Sequence, residues 1–281
     1  MQGKIIKLIS NDYSVLTDEG VLVCKARGKF RNMKVSPLVG DEVIIDKDNK
    51  CIKEILPRRN ELVRPPVANI DQVVIIANVY PQFDTNLLDK LLVIIEYNNI
   101  EPVICITKMD LISDSEKEEI NRYINYYKKI GYKVYVNTDI ENISKLFKDK
   151  VSVFTGQSGA GKSTLLNRLD ESLNIKTDEI SLALGRGKHT TRHVELLSLC
   201  DGLIADTPGF SSLSFIGMTK EDIRDNFIEF NTYRHDCEYK DCMHVSETKC
   251  EVKKQLEENN NIKERYENYL KFINKGWLIW R

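Results

Sequence analysis

No stretch of this chain approaches the roughly 20 consecutive apolar residues that cross a bilayer, and no internal repeat or low-complexity segment interrupts it. A membrane-spanning protein is therefore not expected. Charge of one sign is lacking too: 41 Lys and Arg stand against 42 Asp and Glu. No global field draws the chain to nucleic acid or lipid, and any such contact has to come from a local patch. A leading targeting segment is not expected either, because Lys4 and Lys7 interrupt the first apolar residues and Asn11 and Asp12 follow at once. Nor is there an even cysteine count. Seven cysteines suit a disulfide framework poorly, and three of them crowd around one histidine, so a reducing, cytoplasmic location is expected.

What is present is a phosphate-binding loop. Gly156, Gln157, Ser158, Gly159, Ala160, Gly161, Lys162 and Ser163 fit G-x-x-x-x-G-K-[ST], with Thr164 continuing into a helix marked by Leu165, Leu166, Leu169 and Leu173. The apolar run Val151 to Thr155 leads into it as a strand. The glycines let the backbone curl so that its N–H groups face phosphate oxygens at the positive end of the helix dipole. Lys162 then reaches the β- and γ-phosphates, and Ser163 offers a hydroxyl to Mg²⁺. A glycine-rich turn that merely matches the pattern is the plainer alternative, and the four fixed positions disfavour it.

With 281 residues and 42% hydrophobic content, the chain suits two or three soluble domains. Up to about residue 65 it reads as five short strands, Lys4 to Ile9, Tyr13 to Thr17, Val21 to Ala26, Glu42 to Asp46 and Cys51 to Leu56, with turns at Asp18-Glu19-Gly20 and Gly40-Asp41. Five strands in so short a segment suit a small closed barrel of the OB kind. Residues 1–65 carry 13 Lys and Arg against 9 Asp and Glu, an excess that favours phosphate backbones. Within it, Lys25, Arg27, Lys29, Arg31 and Lys34 surround Phe30 as either an RNA contact or a solvated loop.

Arg64-Pro65-Pro66 marks a stiff boundary. Beyond it strands and helices alternate: a strand at Gln72 to Val79, a helix at Leu87 to Tyr97 capped by Asn86, a strand at Pro102 to Thr107, and a helix bearing Ile120, Tyr123, Ile124 and Tyr127 that Gly131 ends. A strand at Tyr132 to Val136 and a short helix around Leu146 and Phe147 complete the approach to the loop. Continuous apolar strands between helices imply an α/β domain with a mainly parallel sheet. After the loop helix comes an irregular stretch holding GRGKHTTR from Gly185. A strand pair, Val194 to Leu199 and Leu203 to Ala205, then turns at Asp201-Gly202 and runs into DTPG, Asp206 to Gly209. From about Phe215 the chain reads as helical and polar, and one amphipathic segment spans Glu251 to Ile273.

Base choice is read outside the phosphate loop. TKMD, Thr107 to Asp110, closes an apolar strand and places the Asp110 carboxylate to accept two hydrogen bonds from guanine N1 and N2, with the stem of Lys108 along the base. Adenine lacks that donor pair and would leave the carboxylate unpaired. DTPG adds Asp206 toward the Mg²⁺ water and the Gly209 N–H toward the γ-phosphate. Three motifs at three strand ends fit the ligand position of α/β sheets. Their order, base motif before phosphate loop before DTPG, is that of a circularly permuted GTPase.

Cys237, Cys242, His244 and Cys250 form Cys-x₄-Cys-x-His-x₅-Cys, a closed Cys₃His set suited to one structural zinc. Cys24, Cys51, Cys105 and Cys200 read instead as inert core thiols.

Taken together, the permuted motifs, GRGKHTT, the leading barrel and the trailing Cys₃His set closely resemble the bacterial ribosome small subunit-dependent GTPase A (RsgA) family over nearly the whole chain. The resemblance implies an OB-fold RNA-binding domain (1–65), a circularly permuted GTPase domain (66–214) and a helical zinc-binding domain (215–281). It also implies binding to the 30S subunit and its 16S rRNA late in maturation, and GTP hydrolysis stimulated by that subunit. Thr190 and Thr191 match switch I, Thr191 joining Ser163 on Mg²⁺; a monomer that binds GTP and GDP is expected. Two positions depart from the family pattern: Thr107 replaces the commoner Asn, and only Asn137-Thr138 stands where a Ser-Ala-like base contact is expected. Phe210 occupies the position of the water-orienting Gln of Ras-like enzymes, which makes His189 the candidate for that task and Arg186 or Arg192 the next. A nucleotide-gated RNA-binding module with incidental hydrolysis, and a P-loop ATPase or kinase, are the competing readings.

Overall fold

The computed structural model describes residues 1–28, 30, 36–63, 66–173, 194–205, 215–258 and 263–274. The chain forms two compact units, one of residues 1–76 with 137–211 and one of residues 77–136 with 212–281.

The first unit opens with a closed barrel in the order β1-β2-β3-β5-β4. Its strands are β1 (Gln2–Ile9), β2 (Asp12–Thr17), β3 (Gly20–Ala26), β4 (Glu42–Asp46) and β5 (Cys51–Ile55). Neighbours run antiparallel except where β3 meets β5, and that parallel pairing closes the barrel. Alternation decides what faces inward: Tyr13 and Val15 on β2 and Val43 and Ile45 on β4 are buried with Ile5 and Ile52. All five expected strands are present. Phe30, set among cations in the sequence, is 5% exposed, so its ring is not on offer for stacking on a base.

A hairpin of β6 (Glu61–Val63) and β7 (Pro66–Ala68) follows. It is fastened to the barrel by buried polar groups. Asp41, fully buried, accepts from Arg58 Nε at 2.7 Å and Nη2 at 2.8 Å, and Asn69 Nδ2 donates to the Gly40 carbonyl at 3.0 Å.

Within the same unit β8 (Gln72–Asn78), β11 (Val151–Gly156), β13 (Gly202–Ala205) and β12 (Leu196–Leu199) lie side by side in that order. β11 is parallel to both β8 and β13, and β12 is antiparallel to β13. The β12–β13 turn sits at Cys200-Asp201, both at positive φ (47° and 58°), one residue earlier than the sequence suggests. Two left-handed residues match the twist of a tight hairpin, and Gly202 is free to open β13.

The second unit takes β8 from Ala77 onward and sets β9 (Glu101–Thr107) between it and β10 (Lys133–Val136), which pairs parallel with β9. Around them pack α1 (Thr85–Tyr97) and α2 (Asp114–Lys129). α1 begins earlier than expected because Asp84, not Asn86, is its cap: Asp84 Oδ1 accepts from the Leu87 N–H at 2.9 Å, while Asn86 Nδ2 donates to Asn268 Oδ1. α2 carries a capping box of Ser113 and Glu116, and Gly131, at φ 114°, follows its end. In the first unit, α3 (Ile140–Lys145) precedes Leu146 and Phe147 rather than containing them; Phe147 is instead a fully buried plug stacked on Phe154.

The second unit continues with α5 (Lys220–Asp225), α6 (Phe230–Tyr233), α7 (Glu251–Glu258) and α8 (Lys263–Asn274), α4 (Lys162–Leu169) being the helix of the phosphate loop in the first unit. The expected amphipathic segment over Glu251 to Ile273 is helical at Glu251–Glu258 and from Lys263 onward, with 259–262 outside the described residues. Val93 and Ile94 of α1 share one core with Met218, Phe227, Phe230, Val252, Tyr269 and Ile273. Beside that core lies an ion cluster: Arg265, 2% exposed, meets Asp89 of α1 and Glu229 at 2.5 and 2.6 Å. Tyr127 of α2 and Asn268 also donate to Asp89. The C-terminal segment therefore packs as part of the α1–α2 body.

Candidate nucleotide and metal sites

The phosphate loop is built where β11 ends. β11 is buried throughout, and its last residue, Gly156, has φ 145° with an ideal Cβ only 2.4 Å from the Ile76 carbonyl oxygen, so no side chain fits. Gly161 caps α4 (Lys162–Leu169) in the left-handed region, φ 100° and ψ 18°, which aims the helix N-terminus into the loop. Ser158 and Gly159 are exposed while Ala160 and Ser163 are buried beneath them. Lys162 Nζ donates to the loop's own carbonyls, Gly156 at 3.0 Å and Gln157 at 3.2 Å. An ammonium beside a glycine-rich turn at a helix N-terminus is an arrangement suited to a polyphosphate.

In the second unit Thr107 ends β9, 1% exposed, and its carbonyl accepts from the Val79 N–H at 3.2 Å. Lys108 turns the chain in the left-handed region (φ 64°, ψ 28°) into a 3₁₀ turn, Met109–Leu111, that presents Asp110 at the surface. Asn137, which with Thr138 departs from the Ser-Ala-like pattern expected there, offers its carbonyl to Arg168 Nη1 at 3.1 Å. His189, Thr190, Thr191, Asp206, Gly209 and Phe210, with Arg186 and Arg192, lie outside the described residues, as do Trp277 and Trp280.

The Cys₃His residues do converge. The ligand atoms of Cys237, Cys242, His244 and Cys250 all lie within 4.8 Å of one another. His244 Nδ1 is 3.3 Å from Cys250 Sγ and 3.8 Å from Cys237 Sγ, and those two sulfurs are 3.9 Å apart. Metal–sulfur bonds of ~2.3 Å and metal–nitrogen bonds of ~2.0 Å in a tetrahedron require edges of about 3.5 to 3.8 Å. The donor set fits one tetrahedral metal ion. Burial, followed by the charge of Arg224, lowers the His244 pKa to about 4, which leaves the imidazole neutral with a lone pair to give. Burial also raises the Cys242 thiol to about 12, a penalty on the thiolate that a divalent cation offsets. His244 Nδ1 faces the sulfurs, while its Nε2 is buried without a partner among the described residues.

The loop carrying these ligands is clamped by residues that motif reading missed. Tyr266 Oη donates to the His244 carbonyl at 2.6 Å and Tyr269 Oη to that of Met243 at 2.5 Å. Glu247 accepts from the N–H groups of Met243 and Val245, both at 2.7 Å, and Arg224 Nη1 donates to the Cys242 carbonyl at 3.3 Å. The tyrosines stand out in the sequence only as apolar helix positions; Arg224 and Glu247 carry no signal there.

Comparison with known proteins accounts for nearly the whole chain. The family model for the RsgA GTPase matches residues 55–216, and that for the RsgA N-terminal domain matches residues 2–52. The chain belongs to the RsgA GTPase family. Small ribosomal subunit biogenesis GTPase RsgA of Enterococcus faecalis is 48% identical over 97% of this chain and 94% of its own length, and that of Bacillus pumilus is 48% identical over 97% and 96%. Among solved structures, YloQ, a circularly permuted GTPase, matches with a TM-score of 0.83 at 40% identity over 98% of this chain and 94% of that one. YjeQ from Thermotoga maritima matches with a TM-score of 0.83 at 32% identity over 100% and 99%. As an RsgA-family chain with the permuted motif order, the protein is a GTP hydrolase built from an OB-like barrel, a mixed, mainly parallel sheet and a C-terminal helical region with a metal-competent cluster.

Proposed function

We propose that this GTPase acts in late maturation of the 30S ribosomal subunit, that binding to the subunit and its 16S rRNA stimulates hydrolysis, and that the nucleotide state gates binding and release. The observation that carries the reading is end-to-end identity of 48% to a small ribosomal subunit biogenesis GTPase, in a chain whose motifs run in permuted order. The domain limits proposed are 1–65 for the RNA-binding barrel, 66–214 for the GTPase and 215–281 for the zinc-binding segment. A cytoplasmic monomer fits this role, and among the described residues no helix is long and apolar enough to cross a membrane.

In this reading Gly156 to Thr164 hold the phosphates, Lys162 neutralises the γ-phosphate charge, and Thr107, Lys108 and Asp110 read the guanine. Thr190 and Gly209 close on the γ-phosphate. Ser163 and Thr191 would hold Mg²⁺, with Asp206 reaching it through a water; the ion would supply charge neutralisation across the phosphates. One Zn²⁺ per chain would be held by Cys237, Cys242, His244 and Cys250 in a purely structural role, four protein donors leaving no open position. His189 orients the attacking water. Sedimentation of the protein with 30S, 50S and 70S particles, in GDP or a non-hydrolysable GTP analogue, tests the partner. Nucleotide-dependent co-sedimentation with 30S alone supports the reading; equal recovery with all three particles, or with none, rejects it.

A further inference from the structure

At the end of β8 the side chain of Asn78, 8% exposed, turns back onto its own chain: Nδ2 donates to the Tyr80 carbonyl oxygen at 2.8 Å. The same oxygen receives a donor from the neighbouring strand end, Lys108 Nζ at 3.4 Å. Beneath this shared acceptor the backbone makes a further tie, the Val79 N–H donating to the Thr107 carbonyl at 3.2 Å. Lys108 is thus fixed at its root by a left-handed backbone and met at its tip by a carbonyl that Asn78 holds in place. The four methylenes between run in a set direction beside the turn that presents Asp110.

We propose that Asn78 is a positioning residue for purine binding: by fixing the Tyr80 carbonyl it sets where the Lys108 ammonium rests, and so the line along which the Lys108 stem passes the base. The inference rests on the assignment of Thr107 to Asp110 as the base-reading motif. A lysine stem is among the most freely rotating side chains, and one already directed loses less freedom when a ligand orders it. Only a donor at position 78 serves, because the group it must hold is a carbonyl oxygen. The contact of the stem with the base is apolar and blind to the purine's 2-amino group. Asn78 therefore governs how tightly a purine is held, and Asp110 governs which one.

The test is equilibrium binding of GDP and IDP to the full-length chain, comparing wild type with Asn78→Ala, Lys108→Met, the double variant and Asp110→Asn. Loss of one positioning hydrogen bond predicts that Asn78→Ala weakens both nucleotides by the same factor, about 5- to 10-fold. The GDP-to-IDP preference and kcat at saturating GTP should stay unchanged. The double variant should bind no more weakly than Lys108→Met alone, since both changes remove one interaction. Multiplying losses in the double variant, a changed GDP-to-IDP preference in Asn78→Ala, or wild-type affinity in either single variant overturns the proposal. Unchanged guanine affinity in Asp110→Asn would instead overturn the base-motif assignment beneath it. Should Asn78→Ala not fold, Asn78→Leu fills the buried volume without a donor and runs the same cycle.

Discussion

Arg265 on α8 grips Glu229 at two points, Nε to Oε1 at 2.6 Å and Nη2 to Oε2 at 3.2 Å, while its Nη1 reaches Asp89 on α1 at 2.5 Å. Burial raises the pKa of Asp89 and the Arg265 charge opposes that shift. In such a cluster the gain from making the pairs roughly offsets desolvation, whereas removing one member leaves buried charge without a partner. Arg265→Met should therefore destabilise the second unit by about 3–5 kcal/mol. Arg265→Lys should restore little, because one ammonium cannot reproduce the planar fork. Denaturant unfolding checks this, and a loss below about 1 kcal/mol, the scale of an exposed pair, would contradict it.

Metal removal should reach further than the motif suggests. The helix that bears Arg265 also bears Tyr266 and Tyr269, which hold the metal loop, and its core includes Val93 and Ile94 of α1. Chelation should raise hydrogen exchange across residues 220–258 and in α1 together, and leave β11 and α4 protected, since these lie in the first unit with its own core. Exchange that rises in 220–258 while α1 keeps its protection would show the two to be independent.

Much of this was legible in the sequence, for a physical reason: barrel strands announce themselves by alternation, and the phosphate loop and the Cys₃His set by fixed local spacing. What escaped is long-range or decided by packing. Asp84 and Asn86 are equally good caps on paper, and Asn268, distant in sequence, claims the amide of Asn86. Phe30 among its cations read as either an RNA contact or part of a solvated loop, yet its side chain is buried. The ion pair of Asp89 with Arg265 spans 176 positions, and neither residue has a local pattern that hints at the other.

At the phosphate loop, Lys162→Ala should abolish turnover without disturbing the fold, because the ammonium donates to the carbonyls of Gly156 and Gln157 in the loop that takes the phosphates, not to the core beneath. Circular dichroism and GTP turnover on the same sample check both halves. Asp110→Asn should weaken GTP and improve xanthosine triphosphate, since it replaces one of two acceptors with a donor; an unchanged preference would contradict the guanine assignment.

His189→Ala should lower single-turnover hydrolysis on saturating 30S by on the order of 10²-fold or more, the scale of a positioned proton-accepting group, while subunit binding is retained. A variant that binds 30S and is stimulated as strongly as wild type would pass the task to Arg186 or Arg192.

The proposed function makes GTP hydrolysis depend on the small ribosomal subunit. Steady-state phosphate release from GTP and from ATP, with and without purified 30S subunits, measures it most directly. With Phe210 in place of a water-orienting Gln, GTP turnover by the protein alone should be slow and strongly stimulated by 30S, with no comparable turnover of ATP. Equal rates with and without 30S, or ATP hydrolysed as readily as GTP, would contradict it.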